Sequence, residues 1–217
     1  MPITRLFRLV SDEGQCDRFA SVGEHNLLTS IDVEPGTLSM SASHLDSDPS
    51  VNYVFEIYRD EAAYEVHAAS GQFLAFADFA RTGLTDRAVY TCSPELLLEK
   101  EGGLKVTQDE TICVRMARLV VPQEHGAAFR EAVFANMRAS VGEEEGVLSM
   151  YAVTLADDAS VWYFWEVYAS EEAYAVHRET DHFKAYIAAT AELTTTRELT
   201  PLVADTLVNQ GGLDWQA

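Results

Sequence analysis

The chain has 217 residues, 15 Lys and Arg against 35 Asp and Glu, and a formal charge of −20. No apolar run approaches the ~18–20 residues needed to cross a bilayer, which excludes a transmembrane helix, and no membrane partner is expected. Twelve Arg and three Lys are scattered along an acidic chain, so polyanions are repelled and no nucleic-acid partner is expected.

The remaining composition is that of a globular protein of one large or two small domains, 47% apolar and 23% charged. The opening MPITRLFRLVSDEG lacks the basic-then-apolar profile of a secretion signal and reads as a first strand. Cys16, Cys92 and Cys113 are odd in number and contain no CxxC pair. They fit a reducing cytoplasm, with neither a disulfide framework nor a thiolate zinc site.

The chain is one module written twice. Residues 34–76 align without a gap on residues 144–186, at a constant offset of 110, with 20 of 43 positions identical. Arg5, Arg8, Phe19 and Asn26 fall on Arg115, Arg118, Phe129 and Asn136, and Gly-Gly-Leu recurs at 102–104 and 211–213. The expected division is a first repeat over 1–104 and a second over 105–217.

In chain order, each repeat predicts β-α-β-β-α-β. A strand (Thr4–Val10; Ile112–Val121) leads to a helix (about Glu13–Ser30; Gln123–Val141). Next come a turn at Gly36 or Gly146, read as backbone geometry, and a strand (Thr37–Leu45; Val147–Leu155). An Asp/Ser-rich turn makes a hairpin to Val51–Tyr58 or Val161–Tyr168, both rich in β-branched and aromatic residues. A single long helix follows, N-capped at Asp60 or Ser170. Ala63, Val66, His67, Ser70, Phe73, Leu74 and Ala77 recur on it at spacings of three and four, as do their counterparts from Ala173 to Ile187. The last strand falls within Val89–Glu99 and Leu199–Val208. This is an α+β chain of two ferredoxin-like repeats. The helix-free sheet face of each is apolar, so the two sheets are expected to pack face to face as an intrachain pseudo-dimer. Association of whole chains into a homodimer is left open.

Glu34, Gly36, Leu38, Glu56, Tyr58, Ala63, His67 and Phe73, repeated as Glu144, Gly146, Leu148, Glu166, Tyr168, Ala173, His177 and Phe183 with His182 before it, form a recognisable motif. Each repeat resembles an antibiotic biosynthesis monooxygenase domain of the dimeric α+β barrel superfamily. The first repeat departs from the motif at Gln72, where the second has His182. The resemblance implies an intrachain barrel that oxygenates an electron-rich aromatic small molecule with molecular oxygen, using no metal, flavin or haem. The deprotonated phenol or quinol itself supplies electrons, so the protein need only hold it in a dry pocket and accept a proton.

By that resemblance His177 and His67 are the candidate bases, with Glu166 and Glu56 on the adjoining strands to orient the imidazoles. Tyr168, Tyr174, Trp165, His182 and Phe183 are candidate pocket walls in the second repeat, and Tyr58, Tyr64 and Phe73 in the first. His182, Trp162 and Trp165 favour the second repeat as the active one. Each group also has a bland reading, as core histidine, strand-end carboxylate or packing aromatic. No metal site is expected, because five residues separate His177 from His182 and on one helix their side chains diverge by about 140°. Haem degradation is disfavoured: the positions of that branch's ligating histidine hold Ala77 and Ile187. The leading expectation is a cofactor-independent monooxygenase of a quinol-like or polycyclic phenolic substrate. The alternatives are a non-catalytic small-molecule-binding or stress-response barrel, and an isomerase on the same fold.

Overall fold

The computed structural model describes residues 1–217. The elements in chain order are β1 (Ile3–Ser11), α1 (Cys16–Val33), β2 (Thr37–Leu45), β3 (Asp48–Tyr58), α2 (Glu61–Ala68), α3 (Gly71–Gly83), β4 (Leu84–Glu99) and β5 (Leu104–Thr107). They continue with β6 (Cys113–Val120), α4 (Gly126–Glu143), β7 (Val147–Leu155), β8 (Val161–Tyr168), α5 (Glu171–Glu179), α6 (Asp181–Thr190), β9 (Thr196–Asn209) and β10 (Asp214–Gln216). No helix is long and apolar enough to cross a membrane.

Two compact units form, and neither is continuous in sequence. The first comprises Met1–Cys92, Gly102–Glu110 and Leu202–Gly211; the second comprises Ser93–Glu101, Thr111–Pro201 and Gly212–Ala217. The strands form one continuous ten-stranded sheet, and the part of it in each unit is completed by a strand segment from the other repeat.

In the first unit β1 pairs antiparallel with β3, Ile3 opposite Tyr58 through Val10 opposite Val51. Its other edge takes the start of β4, from Thr4 opposite Cys92 to Ser11 opposite Leu84. β2 pairs with β3 and with the end of β9, Ser39 opposite Asn209 to His44 opposite Val203. Strand alternation sends Met40, Ala42 and Val54 to the helix side, where they bury Phe19 and Leu27 of α1 and Phe79 of α3.

The second unit repeats this plan, with β8 between β6 and β7 and the end of β4 between β7 and β10. Its helix-side core is larger in side-chain volume and includes Phe129, Met137, Met150, Trp162, Phe164 and Tyr168. The thiols of Cys92 and Cys113 are buried and pushed up to about 12 by desolvation, so both are inert packing groups.

The expected single long helix is two helices in each repeat. Ser70 Oγ accepts from the Phe73 amide, and Thr180 Oγ1 accepts from the Phe183 amide while donating to the His177 carbonyl. A hydroxyl that caps a new turn competes with continuing the old one, so the chain bends there. The expected apolar stripe breaks with it: Val66, Leu74, Val176 and Ile187 are exposed. The closing strands also begin earlier than expected, at Leu84 and Thr196.

Gly36 and Gly146 are required by contact rather than by a turn conformation, since neither has positive φ. A Cβ on Gly36 would lie 2.4 Å from Ala63 Cβ, and one on Gly146 would lie 2.5 Å from Ala173 Cβ. The glycine and the alanine of the motif are thus two sides of one contact, joining the start of the second strand to the helix after the hairpin.

Candidate functional site

Under the helices of the first unit, Glu34 ends α1 and turns inward. Its Oε2 lies 3.1 Å from His67 Nδ1 and accepts from Thr37 Oγ1 at 2.6 Å; its Oε1 accepts from Gln72 Nε2 at 2.6 Å. Ser30 Oγ stands 3.2 Å from the same His67 nitrogen. His67 is fully buried, and its Nε2 has no hydrogen-bond partner. Its ring rests between Tyr58 and Phe73, with centroids 5.2 and 5.1 Å away. Glu56, the expected orienting carboxylate, instead accepts from the Tyr58 hydroxyl at 2.9 Å. Burial raises the Glu56 carboxyl above its ordinary value, against the lowering influence of His67 and the Tyr58 bond.

Glu56 also lines a largely enclosed cavity of about 50 Å³, walled by Phe7, Leu9, Phe19, Leu27, Val54, Phe73 and Phe76, with Asn26 as the second polar group. Asn26 is 3% exposed and its Oδ1 has no partner. Gly23 opens the helix wall, since a Cβ there would meet nothing within 4 Å. An apolar chamber holding one carboxyl with raised proton affinity and one unsatisfied amide is suited to binding a flat, weakly acidic molecule and taking its proton.

The second unit builds the same frame but fills the space. Gly23, Leu27, Val54 and Phe76 correspond to Val133, Met137, Phe164 and Tyr186, and only Phe7 has a smaller counterpart, Ala117. Trp162 stacks on Phe164 at 6.0 Å and meets Phe129 edge-on at 5.1 Å. Glu166 accepts from the Tyr168 hydroxyl at 2.8 Å, and burial raises its carboxyl as it does that of Glu56.

His177 lies with Nδ1 2.9 Å from Glu144 Oε1 and 3.5 Å from Ser140 Oγ, its ring 4.7 Å from that of Phe183 and 5.4 Å from that of Tyr168. His182 Nε2 lies 2.7 Å from the same Glu144 oxygen. The expected divergence of the two histidines fails because the helix breaks at Thr180. Burial works to raise the Glu144 carboxyl, but the bonds to His177 and His182 outweigh it and hold the carboxyl below its ordinary value. Glu144 Oε1, His177 Nδ1 and His182 Nε2 form a ligand set that could hold a metal ion.

The other expected wall residues separate. Tyr64 packs edge-on against Tyr58 under the Arg5 guanidinium, and Tyr174 does the same against Tyr168 under Arg115. Trp165 sits on the opposite face of β8 from Trp162, Phe164 and Tyr168, opposite Met116 and Tyr151 in the sheet, and so faces away from His177. Sequence reasoning missed Glu34, Glu144, Ser30, Ser140 and Asn26 as site residues. The available signal was the recurrence of Glu34, Asn26 and Ser30 at offset 110, each a polar residue kept where the pattern calls for the interior.

The family model for antibiotic biosynthesis monooxygenase matches residues 2–78 and 112–189. A candidate monooxygenase from Lactobacillus acidophilus is 30% identical, with a TM-score of 0.93 and 99% of both chains covered. A second, from Fusobacterium nucleatum, shares the fold at a TM-score of 0.90 and 22% identity, covering 100% of this chain and 98% of its own. An anthrone oxidase-like protein also shares the fold, more distantly, at a TM-score of 0.58 and 12% identity, with 100% and 96% of the two chains covered. No curated protein matches the chain.

Proposed function

The chain belongs to the antibiotic biosynthesis monooxygenase family, and from that membership we propose that it is a cofactor-independent monooxygenase of a quinol-like or polycyclic phenolic molecule, working in the cavity of the first unit. The observation that carries this reading is the buried Glu56 carboxyl opening on a chamber that is apolar apart from it and Asn26.

In this reading the aromatic ring lies against Phe7, Phe19 and Phe76. Glu56 accepts the phenolic proton, its proton affinity brought toward that of a working base by burial. Asn26 Oδ1, which has no partner in the protein, accepts from a second hydroxyl of the substrate, and Tyr58 donates to the carboxylate from its other side. His67 is a positioning residue, fixing Tyr58 and Phe73 from behind. The phenolate or quinolate supplies all four electrons that dioxygen takes up: one oxygen atom enters the ring and the other leaves as water. A chamber of about 50 Å³ is smaller than the ~150 Å³ that admits a benzene ring, so binding widens it.

The test is oxygen consumption by chelator-treated protein with a panel of quinols. Glu56→Gln is expected to lower turnover by about 10²–10⁴-fold, the usual contribution of a positioned base, while Glu166→Gln keeps most of it. Full activity in Glu56→Gln, or no uptake above the uncatalysed rate with any quinol, contradicts the reading.

A further inference from the structure

We propose that Glu144, His177 and His182 form a binding site for a first-row divalent cation such as Zn²⁺, Co²⁺ or Fe²⁺, built in the second unit and missing from the first. The site lies outside the cavity assigned to substrate, and the inference does not depend on that assignment.

The argument begins with convergence. One carboxylate oxygen and two imidazole nitrogens, from three different helices or helix ends, all lie within 4.8 Å of one another. The oxygen is 2.9 Å from His177 Nδ1 and 2.7 Å from His182 Nε2. A tetrahedral ion with bonds of ~2.0–2.2 Å holds its ligands about 3.3–3.6 Å apart, so Glu144 retreats by about half an ångström and the two nitrogens, within 4.8 Å of each other, settle to that same spacing. Two imidazoles and one carboxylate suit borderline first-row ions better than Mg²⁺ or Ca²⁺, which prefer all-oxygen sets.

The site is also held in shape. Phe183 and Tyr168 clamp the His177 ring. The Thr180 cap fixes the bend that swings His182 toward it. The side chains of His182 and Glu144 remain 19% and 10% exposed, which leaves a solvent side for entry and for water in the remaining coordination positions.

The first unit supplies an internal comparison. There Gln72 donates to Glu34 at 2.6 Å, in the place where His182 meets Glu144. An amide therefore serves where only a hydrogen bond to the carboxylate is needed. The second unit places at that position a side chain that makes the same bond and can also ligate a metal. Glu34 and His67 alone offer two donors, short of the three that a protein metal site commonly supplies.

The experiment is a titration of metal-stripped full-length protein with Co²⁺, read by visible absorption, with Zn²⁺ as competitor. The wild type is expected to take up one equivalent per chain and to release it to Zn²⁺. His182→Gln, which copies the first unit and keeps the hydrogen bond, is expected to fold with an unchanged circular dichroism spectrum. Loss of an outer-shell partner alone costs ~10–100-fold in affinity, so removing a ligand should weaken binding by more than about tenfold. Gln72→His should gain a second equivalent. Absence of saturable Co²⁺ uptake by the wild type, or equal uptake by His182→Gln, overturns the proposal.

Discussion

Glu34 and Glu144 show how a residue's role depends on partners far along the chain. Both stand in the sequence motif, yet their partners His67 and His177 lie 33 residues on, across a hairpin, and no local spacing announces the pairing. The family resemblance pointed to Glu56 and Glu166 on the adjoining strands, but strand geometry gives those carboxylates to Tyr58 and Tyr168. At the same scale His44 and Asp205 form a half-buried pair at 2.8 Å. The bond to Asp205 raises the His44 pKa above 6.5 despite burial, with the fields of Asp205 and Asp46 adding to it. A raised folded-state value means the stabilisation is complete below about pH 6.5 and is lost as pH rises through the folded value. Asp205→Asn should therefore cost about 0.5–1 kcal/mol more at pH 5.5 than at pH 8.5 in urea unfolding. Equal costs at both pH values would show that the imidazole's charge contributes nothing.

At the scale of elements, alternation and β-branched runs made the central strands and hairpins legible, because a half-buried strand writes its period into the sequence. The helix break did not show, since Ser70 and Thr180 fall within a 3.6-residue pattern and become caps only when the next amides turn toward them. Nor did strand exchange, because periodicity marks a strand without naming its neighbour. The Gly–Ala contact is a further element-level constraint. Gly146→Ala should destabilise the protein by about 1–3 kcal/mol through overpacking against Ala173. Ala173→Gly in the same chain should recover much of that loss, giving a coupling energy that chemical denaturation can measure. Independent, additive costs would place the strain elsewhere.

Across the whole molecule, duplication kept a common frame while the two repeats drifted in how they use it. The second unit, whose tryptophans favoured it as the active one when read as sequence, spends Trp162 on its core and turns Trp165 to the other sheet face. The first unit, plainer in sequence, holds the chamber because Gly23 and Val54 are small where Val133 and Phe164 are large. Residue types alone could not reveal this, since an aromatic wall and an aromatic plug have the same composition. The central claim, that oxygenation occurs in the first unit's cavity, is tested most directly by the oxygen-consumption rate of Val54→Phe, which copies the second unit. Filling a void of about 50 Å³ is worth roughly 1 kcal/mol at ~24 cal/mol per Å³, so the variant should melt no lower than wild type. Its quinol-dependent oxygen uptake should fall more than tenfold. A folded Val54→Phe protein that consumes oxygen at the wild-type rate would contradict the account.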